Sequence, residues 1–125
     1  MNVKPGRLAC GILAAWILTG CQHPSRSLPP PSQQAAQLSA LVAAANWLRD
    51  RCQRQDIAAE EPLIEHALQQ ARQRDWTITP LLEQQVREQS QRRYQALSAE
   101  RGTTAEKCAA LNPAAAPFLR TLSAG

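Results

Sequence analysis

Apolar positions recur along this chain in three regimes. Between Leu8 and Leu18 they belong to an uncharged run of about eleven residues, with Lys4 and Arg7 upstream of it. That length suits the core of a secretory signal and falls well short of the eighteen or more residues of a spanning helix. From Gln22 to Ser32 the sequence QHPSRSLPPPS has almost nothing to bury, and a Pro/Ser-rich stretch of this kind acts as an extended spacer. Beyond it, apolar residues return at steps of three and four.

Those steps predict helices. Leu38, Leu41, Ala45, Leu48 and Cys52 lie along one face of a first helix that starts near Ser32, a residue type suited to an N-cap. A second helix is predicted from about Ala59 to Arg74 on the stripe Leu63, Ile64, Ala67, Leu68 and Ala71, with Pro62 accommodated in its opening turn. Thr79-Pro80 opens a third, a capping residue followed by proline at the first helical position. Its inner side is Leu82, Val86, Tyr94 and Leu97, interrupted by Gln89, Ser90 and Arg93. Gly102 ends it, and Thr103 with Glu106 forms a capping box for a fourth. Asn112-Pro113 is expected to break and restart that last helix before Phe118, Leu119 and Leu122. Glycine is absent between Cys21 and Gly102, so no hairpin turn is signalled. The expectation is an all-α fold: a small antiparallel bundle of four helices with a broken last helix, occupying residues 32–125.

The front end changes the picture of what this bundle is attached to. Leu18-Thr19-Gly20-Cys21 resembles the bacterial lipobox, in which the cysteine thiol becomes thioether-linked to diacylglycerol and, after cleavage, heads the mature chain. Cys10 fits such a site poorly, because Arg7 stands where an aliphatic residue is required. Residues 1–20 are then a removed signal and 21–31 a lipidated tether, with Cys21 carrying a diacylglycerol and an N-acyl chain. Gln22, in place of the aspartate that commonly retains such proteins at the inner membrane, resembles a sorting signal for the outer membrane.

Charge and cysteine content follow from that cut. The fourteen Lys and Arg fall to twelve once Lys4 and Arg7 leave, against ten Asp and Glu, which removes the main argument for nucleic-acid binding. Trp47 and Trp76 are too far apart in sequence to form a tandem stacking platform. Once Cys21 is lipidated, Cys52 and Cys108 are the remaining mature cysteines, and beyond the inner membrane they are expected to pair. Two buried free thiols are the alternative. Without a Cys-x-x-Cys spacing, the pair reads as structural.

Chemistry is sparse. The mature chain has two histidines, His23 in the tether and His66 on a helix shoulder, too few for a histidine relay or a histidine-based metal site. Glu60-Glu61 are adjacent, so they point in different directions and suit the positive pole of a helix start. No phosphate-binding glycine pattern occurs. The expectation is no catalytic residue, no metal, no cofactor beyond the covalent lipid, and no small-molecule substrate.

Several segments taken in order carry a resemblance. Asn46-Trp47-Leu48-Arg49-Asp50-Arg51-Cys52, Gln55-Asp56-Ile57, Arg74-Asp75-Trp76, Leu81-Leu82, Tyr94-Gln95-Ala96-Leu97, Glu106-Lys107-Cys108 and Pro117-Phe118-Leu119 resemble the type II secretion pilotins of the PulS/OutS (GspS) family. The resemblance covers nearly the whole mature chain. It implies a helical outer-membrane lipoprotein facing the periplasm, whose partner is the C-terminal segment of the secretin subunit. That segment folds as a helix on the pilotin and is escorted to the outer membrane. It also implies Cys21 as the anchor and Cys52–Cys108 as the bridge. For a helix-in-groove contact the candidates are Leu41, Trp47, Leu48, Leu82, Val86, Tyr94 and Leu119, with core packing as the alternative for each. A structural or inhibitory envelope lipoprotein with another protein partner is the competing function.

Overall fold

Prolines and caps decide where the helices begin. The computed structural model describes residues 28–124, so the signal segment and Cys21 lie outside the described residues. Helix α1 (Pro31–Arg51) starts on the last of the three prolines, whose missing N–H costs nothing at a first position. Pro30, not Ser32, is the cap residue, and its carbonyl accepts from the amides of Gln33 and Gln34. Helix α2 (Glu60–Gln73) carries Pro62 in its first turn, as expected. Helix α3 (Pro80–Ala99) is capped by Thr79, whose hydroxyl accepts from the Leu82 amide at 3.0 Å. Helix α4 (Thr104–Ala124) starts where the Glu106 amide donates to Thr103 Oγ1 at 3.1 Å. No strand occurs among the described residues.

Without glycine, the chain ends its first two helices by putting polar residues in the left-handed region: Gln53 at φ 58° and Asp75 at φ 64°. At the second, Asp75 N–H returns to Arg72 O and Trp76 N–H to Ala71 O, which satisfies the last carbonyls and drops the Trp76 ring into the core.

The expected break in the last helix does not occur. Helix α4 runs continuously through Pro113 and Pro117. Both prolines are exposed, as is Ala109, so the carbonyls that lose their amide donors, those of Ala109 and Pro113, belong to solvent-facing residues. Asn112 Nδ2 donates to Cys108 O at 2.9 Å in the turn that approaches the first proline.

Helix α1 is the axis of the bundle. Its residues Val42 to Leu48 are all buried, seven in succession, which a helix achieves only when it is covered on nearly every side. Helices α2, α3 and α4 each pack against it. Leu38 and Leu48 of α1 meet Leu63, Ile64 and Leu68 of α2, Leu82 and Val86 of α3, and Phe118 of α4 in one core. Full burial of each such side chain is worth about 1.5–3 kcal/mol. The expected Cys52–Cys108 disulfide is present, with 5.7 Å between the Cα atoms, and pins the end of α1 to the start of α4.

Candidate functional site

Three helices around one axis leave three seams, two of them bridged by side chains, although a polar-lined hollow of about 730 Å³ remains between α2 and α4. Between α2 and α3, Arg87 holds both carboxylate oxygens of Glu61. Between α2 and α4, the His66 ring lies 5.3 Å from that of Phe118, and His66 Nε2 is 2.8 Å from Thr121 Oγ1. Because Thr121 gives its own proton to Phe118 O, His66 is the donor in that pair. Burial pushes the His66 imidazole below its ordinary value of 6.5.

The third seam, between α3 and α4, stays open. These two helices, like α2 and α4, scarcely meet along their length, and here no large side chain fills the gap, so α1 forms the floor between them. Ala40, Leu41 and Ala44 face a hollow of about 300 Å³. One wall is Arg93, Ala96, Leu97 and Glu100 of α3, and the other is Leu111, Ala114 and Ala115 of α4. Alanines at the floor let another backbone come close, since the distance between packed helices is set by the side chains between them. Arg93 of α3 and Glu100, the residue that caps its C-terminal end, place opposite charges along one rim.

Polar and covalent ties hold the walls. Beyond Ser90, α3 has no buried residue. Its end is fixed by Trp47 Nε1 donating to Ser98 Oγ at 3.1 Å and by Tyr94 Oη donating to Asp50 Oδ2 at 2.9 Å. Lys107 of α4 donates to Leu97 O at 2.8 Å while its ammonium sits 5.6 Å from the centre of the Trp47 ring. Arg54 reaches from the loop after α1 to Asn112 Oδ1 at 2.6 Å and also grips Asp56, whose carboxyl it holds below the usual range.

Of the seven residues expected at a partner surface, the structure brings Leu41 to this hollow. Trp47, Leu48, Leu82, Val86 and Leu119 are in the core, between 0% and 8% exposed, so their alternative reading is the one the structure gives. Tyr94 borders a separate polar hollow with Asn46, Arg49 and Asp50. The groove residues missed by sequence reasoning are chiefly Ala40, Ala44, Ala96, Leu111 and Ala114. The available signal is the adjoining face of the first helix, where Ala36, Ala40 and Ala44 repeat every fourth residue beside the leucine stripe. Among the described residues, no group of three or more His, Cys, Asp or Glu is placed to hold a metal ion.

Residues 18–120 match the family described as type II secretion system pilotin lipoprotein (PulS_OutS). The chain belongs to this family. The matched span includes Cys21, Cys52 and Cys108. Pilotin relatives are similar over most of their length: the pullulanase secretion protein PulS of Klebsiella pneumoniae is 32% identical, covering 89% of this chain and 90% of that protein. Pilotin OutS of Dickeya dadantii is 32% identical over 82% of each. Two solved structures share the architecture. One, a pilotin/secretin peptide complex, matches with a TM-score of 0.71 at 29% identity over 77% of this chain and 98% of the other. The second, the Klebsiella pneumoniae type II secretion outer membrane complex of PulD, PulS and the PulC HR domain, gives 0.70 at 28% identity, covering 74% and 97%.

Proposed function

We propose that this pilotin binds the C-terminal segment of a secretin subunit as a helix in the α3–α4 groove and carries it to the outer membrane. The observation that supports this most is the α3–α4 seam itself, an apolar trough lined by three helices, whereas the larger hollow between α2 and α4 is lined chiefly by polar side chains of α2 such as Glu65, Gln69 and Gln73. A guest helix with apolar residues at three- and four-residue steps would set them between Leu41, Leu97 and Leu111. Arg93 and Glu100 would then favour guest residues of opposite sign in matching order, fixing register more than affinity. The pilotin family and the similarity to a pilotin solved with a secretin peptide support the same reading.

The activity so described is binding and transport, without a chemical step. Residues 1–20 act as the removed signal, 21–31 as tether and 32–125 as the binding domain. Cys21 carries the diacylglycerol and N-acyl chains, and burial of several such chains at about 0.8 kcal/mol per CH₂ anchors the protein firmly. Gln22 directs it to the outer membrane, where the bundle faces the periplasm.

Titration of the oxidised mature chain with peptides from the C-terminal tail of secretin tests the proposal. Calorimetry should show saturable binding, and far-UV dichroism a gain of helix beyond the sum of the free components, because the guest orders on binding. No measurable binding under oxidising conditions would refute it.

A further inference from the structure

We propose that the end of the bundle where the chain enters is a foot that rests on the lipid bilayer. This rests on the anchoring at Cys21 proposed above. Leu28 and Leu81 are the exposed large apolar residues among those described, at 51% and 62% exposure. Both lie at the same end. Leu28 lines a hollow of about 400 Å³ with Pro29, Pro30, Thr79 and Leu82, and Leu81 is the neighbour of that last residue. The incoming chain is fastened there, since the buried Gln34 amide donates to Pro29 O at 2.8 Å.

The length of chain outside this end selects the occupant. From Cys21 to Leu28 there are seven residue steps, a reach of at most about 25 Å. Helix α1 alone is roughly 30 Å long, so the anchor confines this end, and not the opposite one, to the lipid surface. Held at so short a range, a small apolar contact is populated without needing the roughly 800 Å² per partner of a stable protein interface. Arg72 and Arg74 stand at the same end, the second over the Trp76 ring at 5.7 Å, beside the single acid of that turn, Asp75. Arg72 and Arg74 are the groups of this end that would meet phosphate headgroups, with Asp75 and, in the first turn of α3, Glu83 as its acids. On such a foot the helices stand away from the bilayer, and the groove, which begins about ten residues along α1 from Pro30, is lifted clear of the headgroups.

A single introduced thiol can report this. Cys21 is blocked by lipid and Cys52–Cys108 are paired, so Leu81→Cys or Ala105→Cys would be the one free thiol of the mature lipidated chain. Each variant is labelled with a nitrobenzoxadiazole fluorophore and reconstituted into phosphatidylethanolamine/phosphatidylglycerol vesicles containing lipids with a headgroup spin label. The emission at position 81 should be at least about halved by those lipids while that at 105, at the far end, is unaffected. Leu28→Ser in the Leu81→Cys chain should weaken the quenching without releasing the protein from floated vesicles. Flotation with equal or absent quenching at both positions would overturn the foot alone. Failure to float would overturn the anchor, and the foot with it. Disulfide-linked dimers of unlabelled Leu81→Cys on the vesicles would assign the patch to a second copy and also overturn it.

Discussion

Removing the Cys52–Cys108 bridge tests how the groove wall is held. Helix α4 contributes no buried side chain from Thr104 through Ala114, and its first fully covered residue is Ala115. Over those three turns, the wall is connected to the rest of the bundle by the disulfide, by Lys107 on Leu97 O and over the Trp47 ring, by Arg54 on Asn112, and by the half-buried Leu111 against the core. A hydrogen bond of this kind contributes about 1 kcal/mol. A bridge between residues 56 apart contributes about 4 kcal/mol in the chain-entropy account. That term acts through the unfolded chain and so on the global transition; locally, loss of the bridge leaves turns with no fully buried side chain held by the weaker contacts alone, and they should fray before the core opens. For a domain of this size each kcal/mol corresponds to about 4–8 °C, so the double variant Cys52→Ser with Cys108→Ser should melt roughly 15–30 °C lower. Amide exchange at Lys107 to Leu111 should accelerate well below the global transition, and affinity for the secretin peptide should fall with it. A melting shift under about 5 °C with unchanged exchange at those amides would mean that the wall is held by packing, and the reasoning would be refuted.

Three further outcomes are expected. Ala40→Trp places an indole in the open hollow; it should weaken peptide binding at least about tenfold in calorimetry while the thermal midpoint shifts by no more than about 1 kcal/mol equivalent. Gly102→Ala puts a side chain at φ 110°, with its Cβ 3.3 Å from the Glu106 carboxylate; thermal melts should show a loss of about 1 kcal/mol or somewhat more. His66 titrates below 6.5 in the folded protein, so the unfolded chain takes up its proton first. Stability is complete above 6.5 and falls as pH drops through the folded value. Urea midpoints of His66→Gln should lose this component of the slope. Asp56 and Glu61, held below the usual carboxylate range by Arg54 and Arg87, lower stability in the same direction but only in more acid solution.

The sequence displayed its helices well because their signals are local. Thr79-Pro80 and Thr103 with Glu106 mark starts by side-chain chemistry that acts within three residues. The stripe of α2 was legible for a similar reason: one apolar face and one polar face leave a strong period. Helix α1 was harder. Its leucine stripe was plain, but burial on all sides is carried by Ala43, Ala44, Ala45, Ser39 and Asn46, small or polar residues that look neutral until other helices surround them. The continuity of α4 is not legible because a mid-helix proline carries a cost that the local sequence shows, while what limits it here, orphaned carbonyls open to water and anchoring on both sides by Cys108 and Phe118, is tertiary. The groove was the least legible part. A seam kept open must be lined by residues that tolerate water in the absence of a guest, and Ala40, Ala96, Ala114, Arg93 and Glu100 read as ordinary surface. The large apolar residues, by contrast, are mostly core.

The same division of labour makes the groove preformed. Helix α4 is attached on both sides of the stretch that lines the hollow. Cys108 is bonded to Cys52 on one side, and Phe118 is buried against His66 on the other. Leu111, Ala114 and Ala115 lie between these attachments, a span of ten residues or about 15 Å. For α4 to close onto α3, it would have to leave the disulfide partner or pull a phenyl ring out of the core. Exposing that ring costs about 1.5–3 kcal/mol, and the alanines of the opposing walls offer too little apolar surface to offset it. The oxidised pilotin therefore holds its walls apart in the absence of a guest, and the ordering cost of binding falls on the secretin segment.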